Sequence, residues 1–286
     1  MKVCTAKTAG FCFGVKRAVD TVMRESSKEG MTVCTYGPII HNDQVVSELA
    51  RRGVRVIEDP AELRDVDSNK KGVVILRSHG VTREEHQALL DSGWEVVDAT
   101  CPFVKKIHRI AEKTGEAGRI LVVAGDPDHP EVKGIVGWAR GEVNVVRNPE
   151  EARSLSLLSE KPATLVAQTT FNAGKFEEIV EIFKIKGYDR DVVNTVCSAT
   201  DERQAEARDL SRRVDAMIVV GGTHSSNTRK LYEICKENCW NTYLIETLTD
   251  LDTKPFQSFS CVGITAGAST PKSIIEEVSN YVRTEL

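Results

Sequence analysis

Short runs of β-branched and apolar residues alternate along this chain with longer stretches in which apolar positions recur every third or fourth residue. "GVVILRSHG", "RILVVAGD" and "AMIVVGGTHSSN" each join such a run to a polar, glycine-bearing turn. This pattern predicts buried parallel strands that end in loops. After Cys12, residues Val15, Ala18, Val19, Val22 and Met23 fall at helical spacing, and after Cys101 so do Phe103, Val104, Ile107, Ile110 and Ala111. Both stretches predict amphipathic helices with these positions turned inward. Repeated strand, loop and helix predict an α/β architecture.

The three cysteines of "GFCFGVKRAV", "ATCPFV" and "TVCSAT" stand at one kind of junction. Cys101 and Cys197 end the runs "WEVVDATC" and "DVVNTVC", and each of the three opens a helical pattern. Pro102 suits the first turn of one helix, and Asp201 and Glu202 suit the start of another. The three lie 89 and 96 residues apart. A polar loop follows each at nearly constant distance: His41 after 29 residues, His129 after 28, Ser225 after 28. A second loop follows that one: His79 after 38, Thr169 after 40, Ser269 after 44. The chain therefore divides into three similar α/β lobes, 1–98, 99–193 and 194–286, each with one thiol and two polar loops. Three such copies around a centre would bring three thiols to one point. Three thiolates can hold a metal centre and leave one coordination position open, and a helix N-terminus beside each favours the charged form that binds metal.

Composition narrows the chemistry. The 286 residues are 41% hydrophobic and 28% charged, and the net charge of −4 argues against a general nucleic-acid binder. No apolar run approaches the ~20 residues of a membrane span, and "MKVCTAKTAGFCFGV" lacks the features of a secretory leader. A cytoplasmic protein is expected, in which cysteines serve metal, redox or packing rather than disulfides. There are eight cysteines and no C-x-x-C pair, which disfavours zinc ribbons and thioredoxin-like motifs. Cys4, Cys34 and Cys261 sit in strand-like runs, and Cys235 and Cys239 share a helix face, so these five read as packing residues.

The loops "GPIIHN", "RSHGV", "GDPDHPEVKG", "QTTFN", "GGTHSSNT" and "GITAGASTP" are rich in Gly, His and hydroxyls. Loops after parallel strands, backed by helix N-termini, are ready anion sites, and these side chains are the donors a diphosphate needs. No G-x-x-x-x-G-K-[ST] occurs, so this is not a P-loop. Singly, each residue has a plainer reading: Ser225, Ser226 and Asn227 as N-caps, Glu131 as a helix-start carboxylate, His86 and His108 as helix residues, His224 as loop packing.

Taken in order, "AGFCFGVKRAVD", "GPIIHN", "RSHGV", "DATCPFV", "HPEV", "QTT", "NTVCSAT", "GGTHSSNT" and "GITAGASTP" closely resemble the 4-hydroxy-3-methylbut-2-enyl diphosphate reductase family, over residues 9–271. The resemblance implies three lobes in pseudo-threefold arrangement around a central iron–sulfur cluster. It implies a 4Fe–4S cluster held by Cys12, Cys101 and Cys197, with one iron open. It implies diphosphate contacts from His41, His79, His129, Ser225, Ser226, Asn227 and Ser269, proton delivery by Glu131, and orientation of the substrate's alcohol by Thr169. The implied activity is reductive dehydroxylation of 4-hydroxy-3-methylbut-2-enyl diphosphate to isopentenyl and dimethylallyl diphosphate, the last step of the methylerythritol phosphate pathway, with ferredoxin or flavodoxin as electron donor. A redox or iron sensor using the same three-thiol cluster is the alternative; it needs neither a proton donor nor a diphosphate pocket. A zinc hydrolase is disfavoured because three thiolates suit a soft or clustered metal.

Overall fold

The computed structural model describes residues 1–66, 72–157, 162–188 and 191–286. In chain order the elements are β1 (Lys2–Thr5), α1 (Phe13–Ser26), β2 (Thr32–Tyr36), α2 (Asp43–Arg51), β3 (Arg55–Ile57), β4 (Gly72–Leu76), α3 (Arg83–Asp91), β5 (Glu95–Asp98), α4 (Pro102–Glu116) and β6 (Ile120–Ala124). Then come α5 (Pro130–Trp138), β7 (Val143–Val146), α6 (Pro149–Ser154), β8 (Ala163–Ala167), α7 (Ala173–Ile185), β9 (Asp191–Val192), α8 (Ser198–Ser211) and β10 (Ala216–Val220). The last are α9 (Ser226–Asn238), β11 (Thr242–Ile245), β12 (Cys261–Ala266) and α10 (Lys272–Thr284). Among these helices none is long and apolar enough to cross a membrane.

The strands form three parallel four-stranded sheets with one connectivity: β3-β2-β4-β5, β7-β6-β8-β9 and β11-β10-β12-β1. The runs read as strands are strands, and their continuous hydrophobicity has the expected cause. Ile120–Ala124, Ala163–Ala167 and Ala216–Val220 are buried throughout. In the second sheet, for instance, Val122 and Leu165 pack on one face against α7, and Val123 and Val166 on the other against α4 and α5. Parallel sheets covered on both faces have no polar side to show.

The chain forms two compact units: Met1–Lys16 with His41–Val45 and Ser198–Leu286, and Arg17–Ile40 with Val46–Cys197. The first holds the β11-β10-β12-β1 sheet and the second holds the other two. The fourth strand of the first unit's sheet is the chain's own N-terminus, since Lys2–Thr5 pairs with Cys261–Ile264. Residues 2–5 fall inside the 1–98 segment expected as one lobe, yet they complete the sheet of residues 216–266. In the other two sheets the fourth strand follows α3 or α7, whereas in this one it is β1, which precedes the rest of its sheet in the chain.

This closure explains the placing of the three cysteines. Cys12, Cys101 and Cys197 each follow the fourth strand of a sheet, namely β1, β5 and β9. Strand β9 is only two residues long, and the segment before Cys197 is held by other means. Val193 donates to the Leu165 carbonyl at 2.9 Å, and the Thr195 hydroxyl accepts from Ala167 N–H at 2.8 Å and donates to its carbonyl.

The repeat extends to the backbone. Gly37, Gly125 and Gly221 each follow a first strand and donate to the last carbonyl of the second strand, at 2.8–2.9 Å. At Gly221 the lack of a side chain is required, because φ is +145° and a Cβ would fall 2.6 Å from Thr270 Oγ1. His41, His129 and Ser225 stand at the same distance past β2, β6 and β10, as their even spacing predicts. The second loops differ by one position. The residues equivalent in distance past β4, β8 and β12 are Ser78, Thr169 and Ala268, so Thr169 matches the residue before His79 and the one before Ser269. Among the inward positions read from periodicity, Phe103 is the exception; it is 43% exposed beside Cys101.

Candidate active site

Each of the three cysteines is fixed by its backbone before its side chain does anything. The amide of Cys101 donates to the Ser78 carbonyl at 2.9 Å, that of Cys197 to Thr169 at 3.0 Å, and that of Cys12 to Ala268 at 3.2 Å. These acceptors are the three equivalent residues past the third strands. The thiol-bearing junction is thus tied in every sheet to the loop that the sequence marks as polar. Cys101 is the N-cap of α4 with Pro102 at its first turn, and Lys105 donates to its carbonyl at 3.0 Å. Cys12 carries the equivalent bond from Lys16, at 2.9 Å. All three side chains are half-buried and no cysteine is in a disulfide.

The other five cysteines have the surroundings of packing residues. Cys34, Cys235 and Cys239 are buried, and Cys4 and Cys261 lie on β1 and β12. Burial pushes the Cys34 and Cys261 thiols up, and that of Cys235 up to about 12. A thiol held neutral in this way is a poor metal ligand.

In the second unit, α5 and two strand-end loops assemble an acid. His129 is the N-cap of α5, and its Nδ1 accepts from Glu131 N–H at 3.1 Å. That bond makes Nδ1 the acceptor, so in the neutral ring Nε2 carries the proton and is a donor. The His79 ring meets that of His129 edge to face, with centroids 5.2 Å apart. Glu131 is 1% exposed. Its carboxylate accepts from Thr169 N–H at 2.6 Å and from Thr169 Oγ1 at 2.8 Å. Burial raises its pKa to about 7, against the two Thr169 bonds, which favour the charged form. The carbonyl of the same Thr169 receives the Cys197 amide, so one residue joins the buried acid to a candidate metal ligand.

In the first unit the polar residues gather on helix starts. Ser225 is the N-cap of α9, accepting from Thr228 N–H at 3.3 Å, and Ser226 and Asn227 form that helix's first turn. Asn227 is buried, and its Nδ2 has no hydrogen-bond partner among the described residues. A buried amide donor left unmatched costs stability unless a ligand or water accepts from it. The Ser269 hydroxyl donates to the His41 carbonyl at 2.9 Å, which ties the loop after β12 to the segment before α2.

Several further residues support these sites. Asn42 is buried and caps α2 by accepting from Val45 N–H at 3.0 Å; an Asn before a helical pattern could have marked it. Ser78 is buried with its Oγ unpartnered among the described residues. Arg17 on α1 donates to the carbonyls of Thr100 at 2.9 Å and Asp98 at 3.2 Å, gripping the approach to Cys101. Glu206 on α8 accepts from the amides of Lys7 and Thr8, at 2.8 and 2.9 Å, on the approach to Cys12. Nothing local distinguishes these two from ordinary charges on helices.

Known proteins resemble the chain along nearly all its length. A family model described as LytB protein matches residues 3–283. A 4-hydroxy-3-methylbut-2-enyl diphosphate reductase of Geobacter sulfurreducens is 48% identical over 283 residues, 99% of this chain and 97% of that protein. One of Thermoanaerobacter pseudethanolicus is 44% identical over 284 residues, again 99% and 97%. The solved E-1-hydroxy-2-methyl-but-2-enyl-4-diphosphate reductase from Plasmodium falciparum superposes with a TM-score of 0.89 at 28% identity, covering 98% of this chain and 87% of that one.

Proposed function

The chain belongs to the LytB protein family, and from that premise we propose that its site residues carry out the reductive dehydroxylation of 4-hydroxy-3-methylbut-2-enyl diphosphate. It is a 4-hydroxy-3-methylbut-2-enyl diphosphate reductase, an oxidoreductase of isoprenoid biosynthesis. Two electrons and two protons enter, the allylic C–O bond breaks, and water leaves. The carbon skeleton takes its proton at either end of the allyl unit, which gives isopentenyl or dimethylallyl diphosphate.

The donor set fits an iron–sulfur centre. Cys12, Cys101 and Cys197 are accessible thiols outside disulfides, each fixed through its amide at the equivalent place in a repeated sheet. We assign them as the three ligands of one 4Fe–4S cluster. Such a cluster, when bound, supplies one-electron transfer and one open iron that acts as a Lewis acid toward the substrate's hydroxyl. Ferredoxin or flavodoxin is the assigned electron source. Sulfur ligands kept reduced suit a cytoplasmic protein, and the net charge of −4 gives no reason to add a nucleic-acid partner.

The remaining residues bind, orient and move a proton. His41, His79, His129, Ser225, Ser226, Asn227 and Ser269 hold the diphosphate. The Nε2–H of His129 and the amide of Asn227 are donors directed by the helix caps described above, and the start of α9 adds its backbone amides. Glu131 holds the transferable proton. With a pKa of about 7 it is a substantial fraction protonated near neutral pH and re-ionises readily, which suits general-acid work. In the protonated form its O–H donates to Thr169 Oγ1, whose own hydroxyl proton is then free to pass toward the departing oxygen. The carrying observation is the buried Glu131–Thr169 pair, with the Thr169 carbonyl receiving the amide of Cys197. Turnover of 4-hydroxy-3-methylbut-2-enyl diphosphate by the anaerobically purified protein with a reduced viologen dye tests the proposal. Product formation supports it; a brown, iron-loaded protein that never consumes this substrate sinks it in favour of a sensor.

A further inference from the structure

His108 has no part in that chemistry, and its surroundings are unusual for a helix-packing residue. It lies on α4, is 7% exposed, and stacks on Trp138 of α5 with ring centroids 5.6 Å apart at 16°. Burial pushes its pKa down to about 4, so the ring stays neutral. Its Nε2 has no hydrogen-bond partner among the described residues. An aliphatic side chain would fill the space without burying an unmatched polar atom. The ring's shape and position are therefore what need explaining.

The ring abuts two glycines. A Cβ on Gly80 would fall 2.6 Å from His108 Cε1, and one on Gly134 would fall 3.2 Å from Nε2. Gly80, at φ +76°, directly follows His79, while Gly134 lies one helical turn past Glu131 on the same face of α5. The two backbones also meet away from the imidazole. Trp138 Nε1 donates to the Val81 carbonyl at 2.9 Å, and a Cβ on Gly137 would fall 2.6 Å from Thr82 Cβ. The loop carrying His79 thus rests directly on the helix whose first turn carries Glu131, capped by His129. The imidazole of His108 touches both.

We infer that His108 is a positioning residue, a wedge between Gly80 and Gly134 that sets the distance from the His79 loop to the helix bearing His129 and Glu131. The inference rests on the reading that His79 binds diphosphate and Glu131 delivers the proton. Its consequence is that one substitution remote from the chemistry disturbs both functions together. His108 and Trp138 also line a cavity of about 330 Å³. A truncated side chain at 108 would open the slot into that space and allow the loop and helix to shift.

The test compares cluster-loaded wild type, His108→Ala, Gly134→Ala and His79→Asn. It measures iron content, melting temperature, affinity for inorganic pyrophosphate, and kcat and KM with the substrate. Displacements of about 1 Å at a reacting site cost up to a hundredfold in rate. We expect His108→Ala to keep its iron, to bind pyrophosphate about tenfold more weakly, and to lose at least about tenfold in kcat. Gly134→Ala, whose methyl presses on the ring at Nε2, shifts both constants in the same direction. It carries the test alone if His108→Ala does not fold. A lowered melting temperature with pyrophosphate affinity and kcat both unchanged overturns the wedge, since it leaves His108 only a packing role. If His79→Asn itself leaves pyrophosphate affinity unchanged, the diphosphate reading of His79 fails first and the wedge falls with it. If His79→Asn weakens binding while neither wedge variant does, the wedge alone is wrong.

Discussion

Replacing Glu131 with Gln separates the carboxylate's catalytic work from its structural cost, because the two move in opposite directions. The amide keeps the side chain's size; its oxygen still accepts from Thr169 N–H, and its nitrogen can donate to Thr169 Oγ1. It carries no transferable acidic proton. Proton delivery by a positioned group is typically worth about 10²–10⁴-fold, so turnover at saturating reductant is expected to fall at least a hundredfold while iron and substrate still bind. Stability should change the other way. Burial raises the Glu131 pKa from 4.5 to about 7. The folded protein therefore binds a proton that the unfolded chain has already released between those values. The group costs nothing below pH 4.5, and its cost grows as pH rises and is complete above 7. At about 1.4 kcal/mol per pH unit, that cost reaches about 3 kcal/mol at pH 8. Gln does not titrate, so Glu131→Gln should be as stable as wild type near pH 4.5 and more stable at pH 8. The gap corresponds to a melting temperature roughly 6 °C higher. Thermal melts of both proteins, cluster-loaded and anaerobic, at a series of pH values give the difference curve, in which every other titrating group cancels. Single-turnover rates on the same samples give the catalytic half. Parallel stability profiles would mean that the carboxylate is not held protonated by burial. Wild-type turnover would mean that the proton arrives by another route.

Other expectations follow from neighbouring atoms. Thr169→Val keeps the backbone bond to Glu131 but removes the hydroxyl bond that favours the charged form. The alkaline limb of the kcat–pH profile, where Glu131 loses the proton it must deliver, should move to higher pH while the maximum rate falls; an unmoved profile refutes the hydroxyl's role. Asn227→Ala removes a buried donor, with a typical cost of ~1.5–3 kcal/mol to a charged partner, so pyrophosphate affinity measured by calorimetry should drop about ten- to a hundredfold. Cys12→Ser, Cys101→Ser and Cys197→Ser should each lose bound iron and sulfide and the brown colour, whereas Cys235→Ala and Cys261→Ala should retain them. Colour retained in any of the first three removes that residue from the ligand set.

Much of this protein is legible in its sequence, because much of it is set by local physics. The continuous apolar runs mark strands covered on both faces, since a parallel sheet has no wet side. The cysteines announce themselves by standing where a strand run stops and a helix pattern begins. His41, His129 and Ser225 fall at one offset past the first strand of each repeat, and backbone geometry keeps such an offset constant. The tertiary structure decided what depends on residues distant along the chain. No local pattern tells Lys2–Thr5 to pair with Cys261–Ile264, because the two strands lie more than 250 positions apart and a strand's own residues do not name its partner. The equivalence of Ser78, Thr169 and Ala268 was hidden by intervals counted to the nearest His or hydroxyl; the bonds from the three cysteine amides reveal it. Glu131 is an unremarkable first-turn carboxylate until the loop after β8 buries it and pulls its two oxygens onto Thr169, and its pKa belongs to that enclosure. His108 reads as one more helix residue until Gly80 and Gly134, 54 positions apart, close on its ring. Desolvation and close packing are properties of the assembled neighbourhood, and a chain order alone does not contain them.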